Sequence, residues 1–260
     1  MTALLFIDFG TTGLDVNSLT ALECAWAITD LDGAQRIPLR HRYTAISHSD
    51  AVVHPVQPDG ESVRWKSIDC SELYQAEALK MAEDSGLFED WLRCPQEQIL
   101  FSSVELERLI LDDIVSTCIQ KDDVTNTSPE TVHLCGAGVA RFDFSIVSLL
   151  CPRIITGNRY PVHYRAVDTS VCQTGLLGNN YERELIDWFI SKYGEYADNE
   201  CLIELSQYPL YSYQDTSWQK WIFNSVGLHR AVPDVARSVV VQRALWNYGQ
   251  SLRRDLDLSV

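Results

Sequence analysis

The sequence predicts an α/β protein in which a mixed sheet carries helices against it. Three observations lead there. The first 45 residues hold three apolar runs separated by short turns, which suits an antiparallel meander. Beyond them, longer stretches with apolar residues at three- and four-residue spacing alternate with short apolar runs. No internal repeat or low-complexity segment interrupts that order. Strands first, then helix and strand in alternation, give a central five-stranded mixed sheet flanked by helices.

The elements follow in order. Leu4 to Phe9 is an apolar run ending around a carboxylate, and Thr11-Thr12-Gly13 supplies a turn. Ala21 to Thr29 reads as the second strand, closed by Asp30-Leu31-Asp32-Gly33, and Arg36 to Ala45 alternates as the third. After a Pro-rich connection at Pro55–Pro58 the pattern turns helical, over Ser71–Leu92 and Ser103–Gln120. Lys121 to Glu130 is a polar loop. Val132 to Cys135 is a short strand broken by Gly136-Ala137-Gly138, and a helix runs from near Arg141 to before Pro152. His163 to Val167 is the next strand, ending in Asp168. Tyr181–Tyr193 and Trp218–Val226 are further helix candidates, and Asp234–Leu252 is a long amphipathic closing helix.

Composition narrows the function classes. With 260 residues, 46% hydrophobic and 22% charged, the chain is long enough for one sizeable core and is neither disordered nor fibrous. The apolar start Ala3–Ile7 is stopped by Asp8, too short for a membrane span and without the flanks of a signal peptide, so a cytoplasmic location and no membrane partner are expected. A net charge of −15 argues against a protein that coats long duplex nucleic acid. The excess is uneven: Asp59–Glu130 holds 17 acidic and 6 basic residues, whereas Thr131–Val260 holds 13 and 12. A short polyanion can therefore approach the second half. The eight cysteines are scattered with no Cys-x-x-Cys pair, so they read as reduced small hydrophobes.

The informative pattern is where isolated carboxylates fall. Asp8 ends the first strand, Asp143 lies early in the helix after the glycine-broken strand, and Asp234 begins the closing helix five residues after His229. Strand ends and helix starts of open α/β sheets face one crevice. Convergent carboxylates there can bind divalent metal ions, which clamp a phosphodiester and activate water. A histidine beside them can take the proton from that water. Taken singly, each acid has a plainer explanation, because acids favour strand ends and first helical turns.

Taken together the order resembles a known family. Asp8…Thr12-Gly13-Leu14, then Asp143, then His229-x4-Asp234 is similar to the DEDDh 3′→5′ exonucleases of the ribonuclease H-like fold, and most to their oligoribonuclease subgroup. Gly136-Ala137-Gly138…Asp143, His163-Tyr164-Arg165-Ala166-Val167-Asp168-Thr169-Ser170 and Ser85-Gly86-Leu87 resemble further segments of that subgroup. The resemblance covers about residues 3–170 and 227–248 and implies one exonuclease-like domain over 1–260 with an insertion at about 178–218. It implies 3′→5′ hydrolysis of short single-stranded RNA or DNA to nucleoside monophosphates, with two Mg²⁺ or Mn²⁺ ions. Asp8, Asp234 and Asp143 would hold the metal, His229 would act as general base, and Thr11, Thr12, Gly13 and Leu14 would seat the terminal nucleotide. Short oligonucleotides are the implied partner, and a homodimer is compatible with the pattern.

One position departs from the family. Its first motif is Asp-x-Glu-x-Thr-Gly, and Gly10 stands where the second acid belongs. The rival expectation is thus a catalytically impaired exonuclease-fold protein that binds oligonucleotides or a protein partner. On the enzyme reading, Gly10→Glu is expected to raise activity. Glu23, in the second strand, matches a family glutamate for which a structural role comes first and assistance to the metal second.

Overall fold

The computed structural model describes residues 2–13, 15–17, 19–47, 73–118, 131–140, 142–156, 162–169 and 230–255. The fold is of the α/β class expected, a mixed sheet flanked by helices. Strands β1 (Thr2–Thr11), β2 (Thr20–Asp30) and β3 (Gln35–Ser47) form the antiparallel meander. Then come α1 (Leu73–Asp84), α2 (Leu87–Arg93), a 3₁₀ turn at Gln96–Gln98, β4 (Ile99–Leu100) and α3 (Ser103–Cys118). They are followed by β5 (Thr131–Gly136), α4 (Asp143–Leu150), α5 (Pro152–Thr156), β6 (Val162–Asp168) and α6 (Ala231–Asp255).

The sheet order is β4-β3-β2-β1-β5-β6, six strands rather than the five expected. The extra one is β4, which pairs only Ile99 and Leu100 with Tyr43 and Thr44. Two residues are too few to show a period of two in sequence. The helix expected over 71–92 is instead two helices, because Gly86 adopts a φ of 72° that a continuing helix cannot use. The closing helix starts three residues earlier than expected. Pro233 falls inside its first turn, where a missing N–H costs nothing. The helix candidates at 181–193 and 218–226 and the insertion at 178–218 lie outside the described residues, as do His229 and Leu14.

The run Ala3–Ile7 is continuously apolar because β1 is covered on both faces. Leu5, Ile7 and Phe9 face one core with Leu106, Ile110 and Ile114 of α3 and Ile146 and Val147 of α4. Leu4 and Phe6 face another, against Val232, Val235, Ala236 and Val239 of α6. A third cluster packs Leu87, Phe88 and Trp91 of α2 on Leu22, Tyr43 and Ala45. Cys24, Cys94, Cys135 and Cys151 are buried, as expected of small hydrophobes. Among the described residues no helix is long and apolar enough to cross a membrane.

Candidate functional site

β1 and β5 run parallel, with Phe6 opposite Cys135; β5 stops at Gly136 at one rim of the sheet, while β1 runs on to Thr11 along β2. Asp8 therefore emerges beside the Gly136-Ala137-Gly138 turn. That turn depends on glycine: Gly138 has a φ of 72°, and a Cβ on Gly136 would press 3.3 Å from Val139 Cβ. Asp168, at the end of β6, accepts the Gly138 N–H at 3.2 Å, and Ser238 of α6 accepts the Ala137 N–H at 3.3 Å. The turn is thus held from the two elements beside it, and Asp168 has the structural role its position suggests.

A cavity of about 240 Å³ opens at this rim. Its wall includes Asp8, Asp143 and Asp234 together with the 136–138 backbone, Arg237 and Ser238. The three acids, far apart in sequence, are brought to one place by β1, where it passes the end of β5, and by two helix starts. As the side chains stand, no three ligating groups converge tightly enough to enclose an ion among the described residues. Like charges repel across a cavity, and Asp234 turns Oδ1 to the Arg237 guanidinium at 2.7 Å.

The electrostatics show what the site lacks. Asp143 is 5% exposed, and its Oδ1 is a buried oxygen with no hydrogen-bond partner. Burial first, then the Asp234 and Asp168 charges, push its carboxyl up to about 7 against the opposing pull of the Asp143 and Phe9 backbone amides. Asp8 is raised well above the ordinary carboxylate range, first by burial and then by Asp143, Asp234 and Glu23, with Arg237 opposing. An orphaned buried oxygen among acids held at unfavourable ionisation is the setting a divalent cation relieves, and an all-carboxylate donor set suits a hard ion such as Mg²⁺ or Mn²⁺. The residues present fit such an ion.

The turn residues serve the backbone. Thr11 Oγ1 donates to the Gly13 carbonyl at 2.8 Å, and buried Thr12 Oγ1 accepts the Thr20 N–H at 2.9 Å. Neither threonine nor Gly13 lines the cavity as described.

Glu23 corrects the thought that it assists the metal. It is fully buried, and both oxygens are taken. Oε1 accepts the Ala231 N–H at 2.7 Å and Arg230 Nε at 3.1 Å, and Oε2 lies 3.1 Å from His41 Nε2. Burial alone would raise its carboxyl, but Arg230, His41 and the Ala231 amide outweigh that and hold it at about 2. Glu23 thus anchors the first residue of α6. Arg230 continues the network to Asp90 Oδ2 at 2.9 Å and the Ser85 carbonyl at 3.3 Å. Sequence reading missed Arg230 and Arg237. Arg237 had a local signal, three residues from Asp234 on one helix face; Arg230 had none.

No family model matches the sequence, and no characterised protein sequence matches it. Among solved structures, a moderately thermophilic exonuclease I from Methylocaldum szegediense is 14% identical with a TM-score of 0.47, covering 97% of this chain and 44% of that one. An E. coli exonuclease I in complex with a dA16 oligonucleotide is 14% identical with a TM-score of 0.46, covering 98% and 43%. The zinc-bound E. coli exonuclease I–ssDNA complex is 12% identical with a TM-score of 0.45, covering 97% and 43%. The chain spans less than half the length of each.

Proposed function

We propose that this chain is a metal-dependent nuclease of the 3′→5′ exonuclease type, acting on short single-stranded RNA or DNA and releasing nucleoside monophosphates. The observation that carries the reading is the unpartnered, buried Oδ1 of Asp143 in a cavity it shares with Asp8 and Asp234. Asp8 and Asp234 would hold the cation, with Asp143 bound directly or through water. Such an ion polarises a phosphoryl oxygen and lowers the pKa of bound water. His229, next in sequence to the anchored Arg230, would accept the proton of the attacking water. Arg237, on the cavity wall, would give Asp234 up to the ion and turn its guanidinium to a phosphate. Thr11, Thr12, Gly13 and Leu14 would border the terminal nucleotide through backbone groups and the leucine side chain. The strongly negative chain favours short oligomers, where few phosphates need neutralising.

The test is a 5′-labelled short oligonucleotide incubated with Mn²⁺ or Mg²⁺ and resolved by length. A ladder shortening from the 3′ end, abolished by EDTA and by Asp8→Asn, supports the reading. Uncut oligomer in both metals overturns it. A second reading has its own observation: Gly10 supplies no carboxylate and Glu23 is fully engaged, so three acids remain where the family has four. On that reading the protein binds oligonucleotides without cutting them, and binding without cleavage in the same experiment selects it.

A further inference from the structure

Residue 10 lies two positions along β1 from Asp8, so a side chain there would share the face on which Asp8 stands. It would be the nearest place on this strand for another oxygen donor. Gly10 is the cross-strand partner of Glu23. A Cβ at position 10 would lie 2.6 Å from Glu23 Cγ and 2.9 Å from Oε1, well inside van der Waals contact. Cγ is the root of the Glu23 side chain, not a free tip. The tip is fixed at 3.1 Å to Arg230, at 2.7 Å to the Ala231 amide and at 3.1 Å to His41. Arg230 is 2% exposed and is itself tied to Asp90 and Ser85. Glu23 can move only by withdrawing the acceptor of Arg230 Nε and of the first amide of α6.

We propose that Glu23 is a positioning residue that fixes how many carboxylates the site holds. Its anchored side chain fills the space over Gly10 and closes that position to a further ligand, while pinning the start of the helix that carries Asp234. Gly10 and Glu23 are then one unit, and adding an acid at position 10 requires a shorter side chain at position 23. On this proposal, Gly10→Glu alone does not raise activity, in contrast to the expectation from the motif. The ligand count rests on the metal-site reading above; the steric exclusion does not.

The experiment compares Gly10→Glu in two backgrounds, the unmodified protein and Glu23→Ala, by thermal unfolding in EDTA and by Mn²⁺ affinity from the electron paramagnetic resonance of free Mn²⁺. With Glu23 present, Gly10→Glu lowers Tm by about 5 °C or more and leaves Mn²⁺ binding no tighter. In the Glu23→Ala background, the same substitution does not lower Tm, because the Glu23 atoms that a Cβ would meet are gone, and it tightens Mn²⁺ binding several-fold. Should Gly10→Glu fail to fold, Gly10→Ala carries the Cβ alone and reads the same clash in both backgrounds. Equal losses of Tm in the two backgrounds overturn the proposal, as does tighter Mn²⁺ binding by Gly10→Glu with Glu23 intact. Absence of Mn²⁺ binding in every variant and in the unmodified protein overturns the metal-site reading, while the Tm comparison still decides the exclusion.

Discussion

Asp143 carries an oxygen that no donor reaches, and its charge is opposed by burial and by Asp234. Without a cation this acid burdens the folded state. Asp143→Asn should therefore raise stability in EDTA at about pH 8 by about 1 kcal/mol while weakening Mn²⁺ binding, measured by urea unfolding and metal titration. Unchanged Mn²⁺ affinity would remove Asp143 from the site. Asp143 and Asp234 were legible in sequence because they stand in first helical turns, whereas Asp8, expected at a strand end, lies inside β1, which runs on to Thr11 because β2 continues to pair with it. Their pairings were not. Glu23 looked like one more strand residue, and the guanidinium that holds it is contributed from the far end of the chain. Such a contact leaves no periodic trace.

At the scale of elements, the start of α6 is fastened by a charge network among β2, β3, α2 and Arg230. Breaking one member leaves the others buried and uncompensated. Arg230→Met should cost about 3–5 kcal/mol by urea unfolding, whereas pairing it with Glu23→Leu should recover much of that loss. A cost for the double variant equal to or above the single would show that the network contributes beyond charge balance. The elements themselves were largely legible, since β1, β2, β3, β5, β6 and α3 fall close to their apolar patterns. What escaped was short or locally broken: two-residue β4, five-residue α5 and the Gly86 interruption. Fewer than two periods of any pattern cannot be told from chance, and Gly86 breaks a run whose apolar spacing continues across it.

For the whole molecule, the displaced acids set how stability depends on pH. Asp143 binds its proton more tightly in the folded chain, at about 7 against an ordinary 3.8, and Asp8 is raised as well. Stability present in acid is then lost as pH rises through that interval. Glu23 works in the opposite sense and lower down: held at about 2 against 4.5, it contributes above that range and is lost only on acidification. In EDTA, Tm should fall between about pH 5 and about pH 8, and saturating Mn²⁺ should flatten or reverse the slope, because an ion bound only by the folded state stabilises it by mass action. A slope identical with and without metal would separate the acids from any cation. The Glu23–Arg230 fastening has a consequence for how this chain can vary. Because β2 moors the start of α6, a substitution at Glu23 that slackens the mooring shifts Asp234 relative to Asp8, so the pocket answers to a buried residue that is not part of its wall.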